Sequence, residues 1–107
     1  LRKNLKKVEN VILAIVIKNF RMKLQEMREE IDEIDRKIIK LLERRFQIVN
    51  EIAKLKRELG LRIEDNEREA SIIENCKKSS KELDEEFIEE LMRLVISHSK
   101  KIQEEKR

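Results

Sequence analysis

Arg45 stands where the spacing of its neighbours asks for an apolar residue. Leu24, Met27, Ile31, Ile34, Ile38 and Leu41 recur at alternating steps of three and four, and the series resumes at Ile48, Ile52, Leu55 and Leu59. The slot between Leu41 and Ile48 holds arginine. A guanidinium in such a slot weakens the packing unless it is paired or binds an anion. Two readings stay open: a buried ion pair or register-setting residue, and an anion site. Lys56 lies eleven residues on, three helical turns away on nearly the same face. Their Cα atoms would be ~16 Å apart, so the two side chains could close on a small dianion between them. A solvated helix lysine is the blander reading of Lys56.

Other polar residues flank the apolar pattern. Arg28 precedes Arg45 by seventeen residues, ~25 Å along a helix axis, and points to another side. It cannot share a small ligand with Arg45 of its own chain, but in an antiparallel dimer it could serve the partner's site. Beside Glu29 and Asp32 it also reads as an exposed arginine. Asp65, Arg68 and Glu69 sit at the start of a second helical segment, where capping and helix-dipole compensation are the plain explanation. Ser99 and Gln103, spaced i, i+4, lie beside the apolar stripe of a third segment and are compatible with a helix end on the surface. His98 has no second His or Cys-rich motif to make a metal site, and Cys76 reads as a core residue.

These residues need long helices to hold them. The chain of 107 residues contains one Gly and no Pro, and 46% of it is charged. Tight hairpins need turn residues that are missing here, so the fold class is all-α. The first seam predicts one helix over 22–59, stopped by Gly60. It would run ~57 Å, about twice the ~26 Å expected across a compact chain of this size. Such a helix needs a partner chain, most simply an intertwined homodimer. A second helix follows Asp65 or Asn66, with Ala70, Ile73 and Cys76 on one face. Residues 77–81 read as a connector. Asp84 caps a third helix with Ile88, Leu91, Val95, His98 and Ile102 as its stripe.

Charge divides the chain at Met22. Residues 1–21 carry +5 and the rest −2, for a total of +3. The basic leader encloses the apolar run 11–17, far short of the ~20 residues that span a bilayer. It reads as an extension outside a native domain over 22–107, as an extra packing element, or as a targeting segment without a cleavage site. One Cys excludes an intrachain disulfide and fits a reducing, cytoplasmic compartment. Without an aromatic stacking platform or a basic cluster beyond the leader, nucleic-acid binding is disfavoured, and so is a membrane role.

From Met27-Arg28-Glu29-Glu30-Ile31-Asp32 through Leu42-Glu43-Arg44-Arg45 to Ala53-Lys54-Leu55-Lys56, the chain resembles the first helix of the all-helical chorismate mutases. The resemblance continues through Ile63-Glu64-Asp65-Asn66-Glu67-Arg68-Glu69 and ends at Ser97-His98-Ser99-Lys100-Lys101-Ile102-Gln103, covering residues 22–107. It implies the rearrangement of chorismate to prephenate, early in phenylalanine and tyrosine synthesis. It also implies a homodimer with two shared sites. Arg28 would reach a substrate carboxylate from the partner subunit, and Arg45 would grip the other carboxylate. Lys56 and Gln103 would donate to the ether oxygen, and Glu69 would accept from the ring hydroxyl. Asp65, Arg68 and Ser99 would complete the lining.

The implied step is intramolecular and needs no nucleophile, metal or cofactor. Holding a flexible dianion in a compact chair is catalysis by orientation, and donors facing the developing charge lower the barrier. Two alternatives accompany the reading. Isochorismate-pyruvate lyases share the fold and the Arg and Lys set, and the Arg68-Glu69 pair favours the mutase. A non-enzymatic helical dimerisation module would explain the heptads but not Arg45, Ser99 or Gln103.

Overall fold

A computed structural model of the chain describes residues 2–105. It is all-helical, with α1 at Arg2–Leu59, α2 at Asn66–Lys78 and α3 at Glu85–Glu105. There is no strand among the described residues. The long first helix is present, but it begins at Arg2 rather than near Met22. The leader contains no Gly or Pro to interrupt it. Its apolar residues also keep the phase of the seam: Leu13, Ile17 and Phe20 lead into Leu24 at steps of four, three and four.

Gly60 ends α1 as its type predicts, with φ +67°. Gly60 N–H donates to the Arg57 carbonyl at 3.3 Å and Leu61 N–H to the Lys56 carbonyl at 2.8 Å. These two bonds form a Schellman motif. Asp65, not Asn66, caps α2, accepting from Arg68 N–H at 3.0 Å. Asp84 caps α3 through Phe87 N–H at 3.3 Å.

The chain divides into two compact units, Leu1–Leu41 and Leu42–Arg107. In the first, every described residue is helical and exposed, the seam residues Leu24 to Leu41 included. The second has a core of Val49, Ala53, Ile73, Ile88, Val95 and Ile96. There α2 and α3 pack closely, and Lys77 of α2 pairs with Glu89 of α3 at 3.2 Å. The second unit's stretch of α1 reaches α3 through side chains. Arg45 Nη1 donates to Ser99 Oγ, and the Phe46 ring meets His98 edge-on at 4.8 Å between centroids.

Two faces differ from the sequence expectation. On α1, Val49 and Ala53 turn inward, while the seam residues Ile48, Ile52, Leu55 and Leu59 stay exposed in the single chain. On α3, the buried line is Ile88, Val95, Ile96, Ser99 and Gln103. Leu91 and His98, expected in the stripe, are exposed. The helix is turned so that its uncharged polar pair faces inward, and α1 supplies the partner that makes Ser99 burial tolerable.

Candidate functional site

A cavity of about 380 Å³ opens in the second unit, between α1, the 60–65 turn, α2 and α3. Ile48, Val49 and Ile52 from α1, Ile72 from α2 and Ile96 from α3 form its apolar walls. Arg45, Lys56, Asp65, Arg68, Glu69, Ser99 and Gln103 all line it. Seven of the eight site residues expected from the sequence thus meet around one space, although they come from segments up to 58 positions apart. Arg28 is not among the lining residues; it lies exposed in the first unit.

The geometry explains how each side chain is held. Ser99 is 6% exposed; its hydroxyl accepts from Arg45 and donates to the Val95 carbonyl at 2.9 Å. A guanidinium has five N–H donors, so this one bond steers Arg45 and leaves donors for a ligand. Burial and then the repulsion of Arg68 push the Arg45 pKa below its ordinary value. It stays charged, since arginine keeps its proton in proteins, and an anion beside it would relieve both effects.

Lys56 Nζ donates to the Ile63 carbonyl at 2.8 Å, which ties the end of α1 to the turn that follows it. Gln103 is 8% exposed. Its Nε2 reaches the Ser99 carbonyl only at 3.5 Å, and its Oε1 is buried without a hydrogen-bond partner. A buried amide so poorly satisfied costs about 1–3 kcal/mol and is free to bond a ligand.

Lys100 completes the lining. Its Nζ lies 2.7 Å from Glu69 and 3.4 Å from Glu64. The Glu69 hydrogen bond raises the Lys100 pKa; burial opposes it, and the Glu69 charge and the Glu64 contact add smaller upward effects. Nothing in the sequence singles out Lys100, since a lysine beside Lys101 on a charged helix carries no distinguishing signal beyond its place one residue after Ser99. With Lys100 included, four cationic and two anionic side chains line the cavity, an excess of two positive charges that suits a dianion. Among the described residues no group of His, Cys, Asp and Glu is arranged to hold a metal ion, and no helix is long and apolar enough to cross a membrane.

Residues 27–104 match the family model described as chorismate mutase type II. The chain belongs to the chorismate mutase type II family. It is 39% identical over 85 residues to a chorismate mutase of Methanocaldococcus jannaschii, covering 78% of this chain and 86% of that protein. It is also 33% identical over 78 residues to the T-protein of Enterobacter agglomerans and 29% identical over 83 residues to that of Haemophilus influenzae. Those matches cover 71% and 76% of this chain but only 21% and 22% of the T-proteins. No solved structure matches significantly. The mutase family match begins at Met27, so the leader and the first turns after Met22 lie outside it.

Proposed function

We propose that this chain is a chorismate mutase, converting chorismate to prephenate in a cytoplasmic pathway to aromatic amino acids. The observation that carries the reading is the convergence of Arg45, Lys56, Glu69, Ser99 and Gln103 on one cationic cavity. Its volume of about 380 Å³ is at the small end of the range for ligand pockets, as a compact bicyclic transition state requires.

In this reading Arg45 binds one carboxylate through charge-assisted bonds, its orientation set by Ser99. The reacting ether C–O bond breaks as a new C–C bond forms, with no atom gained or lost. Negative charge grows on the ether oxygen, and the Lys56 ammonium and the Gln103 amide meet it with donors already in place. Lys56 has three N–H donors and so can hold the Ile63 carbonyl and the substrate together. Glu69 accepts from the ring hydroxyl, while Asp65 and Arg68 complete the polar wall.

Arg28 reaches the second carboxylate from a partner subunit. The support for a dimer is the exposed seam of the first unit, nine apolar residues from Leu13 to Leu41 in unbroken heptad phase. A contiguous exposed apolar surface of that extent marks an interaction site. A parallel in-register pair would set Lys23 against Arg28 and Glu30 against Asp35 at the flanking positions. Those like-charge contacts favour the antiparallel arrangement that a shared site needs.

The test is a side-by-side assay of chorismate and isochorismate, with the full chain and with residues 22–107. Prephenate formation from chorismate is expected. Preferential pyruvate release from isochorismate would overturn the mutase reading in favour of the lyase, and no turnover of either would favour the dimerisation module.

A further inference from the structure

Glu69 poses an electrostatic problem. A carboxylate that accepts a hydrogen bond from the hydroxyl of a dicarboxylate ligand also repels that ligand's two charges. At an effective dielectric of about 20, one unit charge a few ångströms away is worth kilocalories, so an uncompensated Glu69 would oppose the binding it assists. The cavity itself supplies the compensation. Lys100 Nζ is 2.7 Å from Glu69 Oε1 and lies at the same cavity wall. The Lys100 side chain is 34% exposed and that of Glu69 22%, so water screens this pair less than a fully exposed one.

The same ammonium is 3.4 Å from Glu64 Oε1. Glu64 belongs to the turn between α1 and α2, next to Ile63, whose carbonyl accepts from Lys56. The turn is therefore held on two sides, by Lys56 from α1 and by Lys100 from α3. Lys100 joins three elements around the cavity: its own helix, the start of α2 through Glu69, and the turn through Glu64.

We propose that Lys100 is a positioning residue for this active site: it neutralises and orients Glu69 and holds the 60–65 turn over the cavity. The inference rests on the mutase reading. Lys100 occupies one oxygen of Glu69 and leaves the other to accept from the substrate hydroxyl. Its charge cancels the repulsion that Glu69 alone would exert on the dianion. Because Lys100 acts through Glu69, its effect lies in substrate affinity more than in the rate of the bound complex, where Lys56 and Gln103 face the changing charge.

The experiment is a double-mutant cycle of Lys100→Met and Glu69→Gln on the full chain, reading kcat and KM for chorismate, with Lys100→Arg as the conservative control. Lys100→Met is expected to raise KM about tenfold while kcat changes little, and Lys100→Arg to keep most of the affinity. In the Glu69→Gln background there is no carboxylate left to orient, so Lys100→Met should raise KM by a distinctly smaller factor, the remainder being its own charge and its hold on Glu64. Fold effects of the two substitutions that multiply independently would overturn the proposal, as would a loss confined to kcat. Thermal melts of each variant keep a folding defect from passing for a kinetic one: a Lys100→Met chain that melts early and loses kcat and KM together with no dependence on Glu69 also counts against it. Absence of chorismate turnover in the unsubstituted chain is a different result and refutes the mutase reading itself.

Discussion

The two units of this chain use one helical periodicity for opposite ends. In Leu1–Leu41 every described residue is exposed, the apolar seam included. In Leu42–Arg107 the same helix turns Val49 and Ala53 into a core, and the polar residues Ser99 and Gln103 are as buried as the aliphatic ones. The first unit thus has an apolar surface without a cover, and the second has polar groups deliberately kept from water. An exposed apolar seam of that extent marks an interaction site, so in our reading the first unit depends on association. Buried polar groups need partners, so the second depends on its internal network and, in our reading, on its ligand.

Substitutions separate these dependences. Lys56→Ala removes a donor facing the developing charge. It should cost on the order of a thousandfold in kcat while sedimentation shows the association state unchanged; near-native turnover would break the assignment of chemistry to the second unit. Arg28→Ala touches only the first unit and should cost on the order of a hundredfold in kcat/KM, the value of one charge-assisted bond. Mixing Arg28→Ala with Lys56→Ala subunits sharpens the test. Mixed dimers hold one intact site, so random exchange should restore about a quarter of normal activity; no recovery would mean that Arg28 serves its own chain or none.

Deleting residues 1–21 removes Leu13, Ile17 and Phe20 from the seam. The dimer Kd should rise at least about tenfold with kcat unchanged at saturating protein, as measured by dilution sedimentation. An unchanged Kd would detach the leader from the interface. The smallest effect concerns acid stability of the second unit. The hydrogen bond from Lys77, and then its charge, hold the Glu89 pKa below its ordinary value. A depressed carboxylate stabilises the fold above the ordinary carboxylate range, and that contribution is lost as pH falls through the folded-state value. Lys77→Met should therefore lower stability slightly near neutrality and flatten the acid limb of a melting-temperature profile.

The sequence makes the elements legible because their signals are local. Gly60 marks a helix end that only a positive φ can make, and Asp84 marks a helix start. The orientation of α3 is not local. Hydrophobicity alone selects Leu91 and His98 as inward residues, yet Ser99 and Gln103 hold those positions, since Arg45 from another helix bonds Ser99. A pattern that counts only apolar residues turns such a helix by part of a turn. The helix runs back to Arg2 because the heptad phase continues through the basic segment, a continuity that a change of net charge at Met22 does not reveal. The candidate site residues were legible as a family resemblance, whereas Lys100 was not, because its distinction is a pair of distances.

The turn at Gly60 has a thermodynamic consequence for Lys56. The backbone carbonyl of Lys56 is tied to Leu61 N–H at 2.8 Å, and its side-chain ammonium is tied to the Ile63 carbonyl at 2.8 Å. One left-handed residue thus lets a single lysine be fastened at both ends to the same short stretch of chain. A free lysine side chain carries about 2 kcal/mol of rotamer entropy, which a donor must surrender when it meets a charge. Here much of that surrender happens during folding, so the reacting oxygen meets an ammonium whose freedom has already been removed.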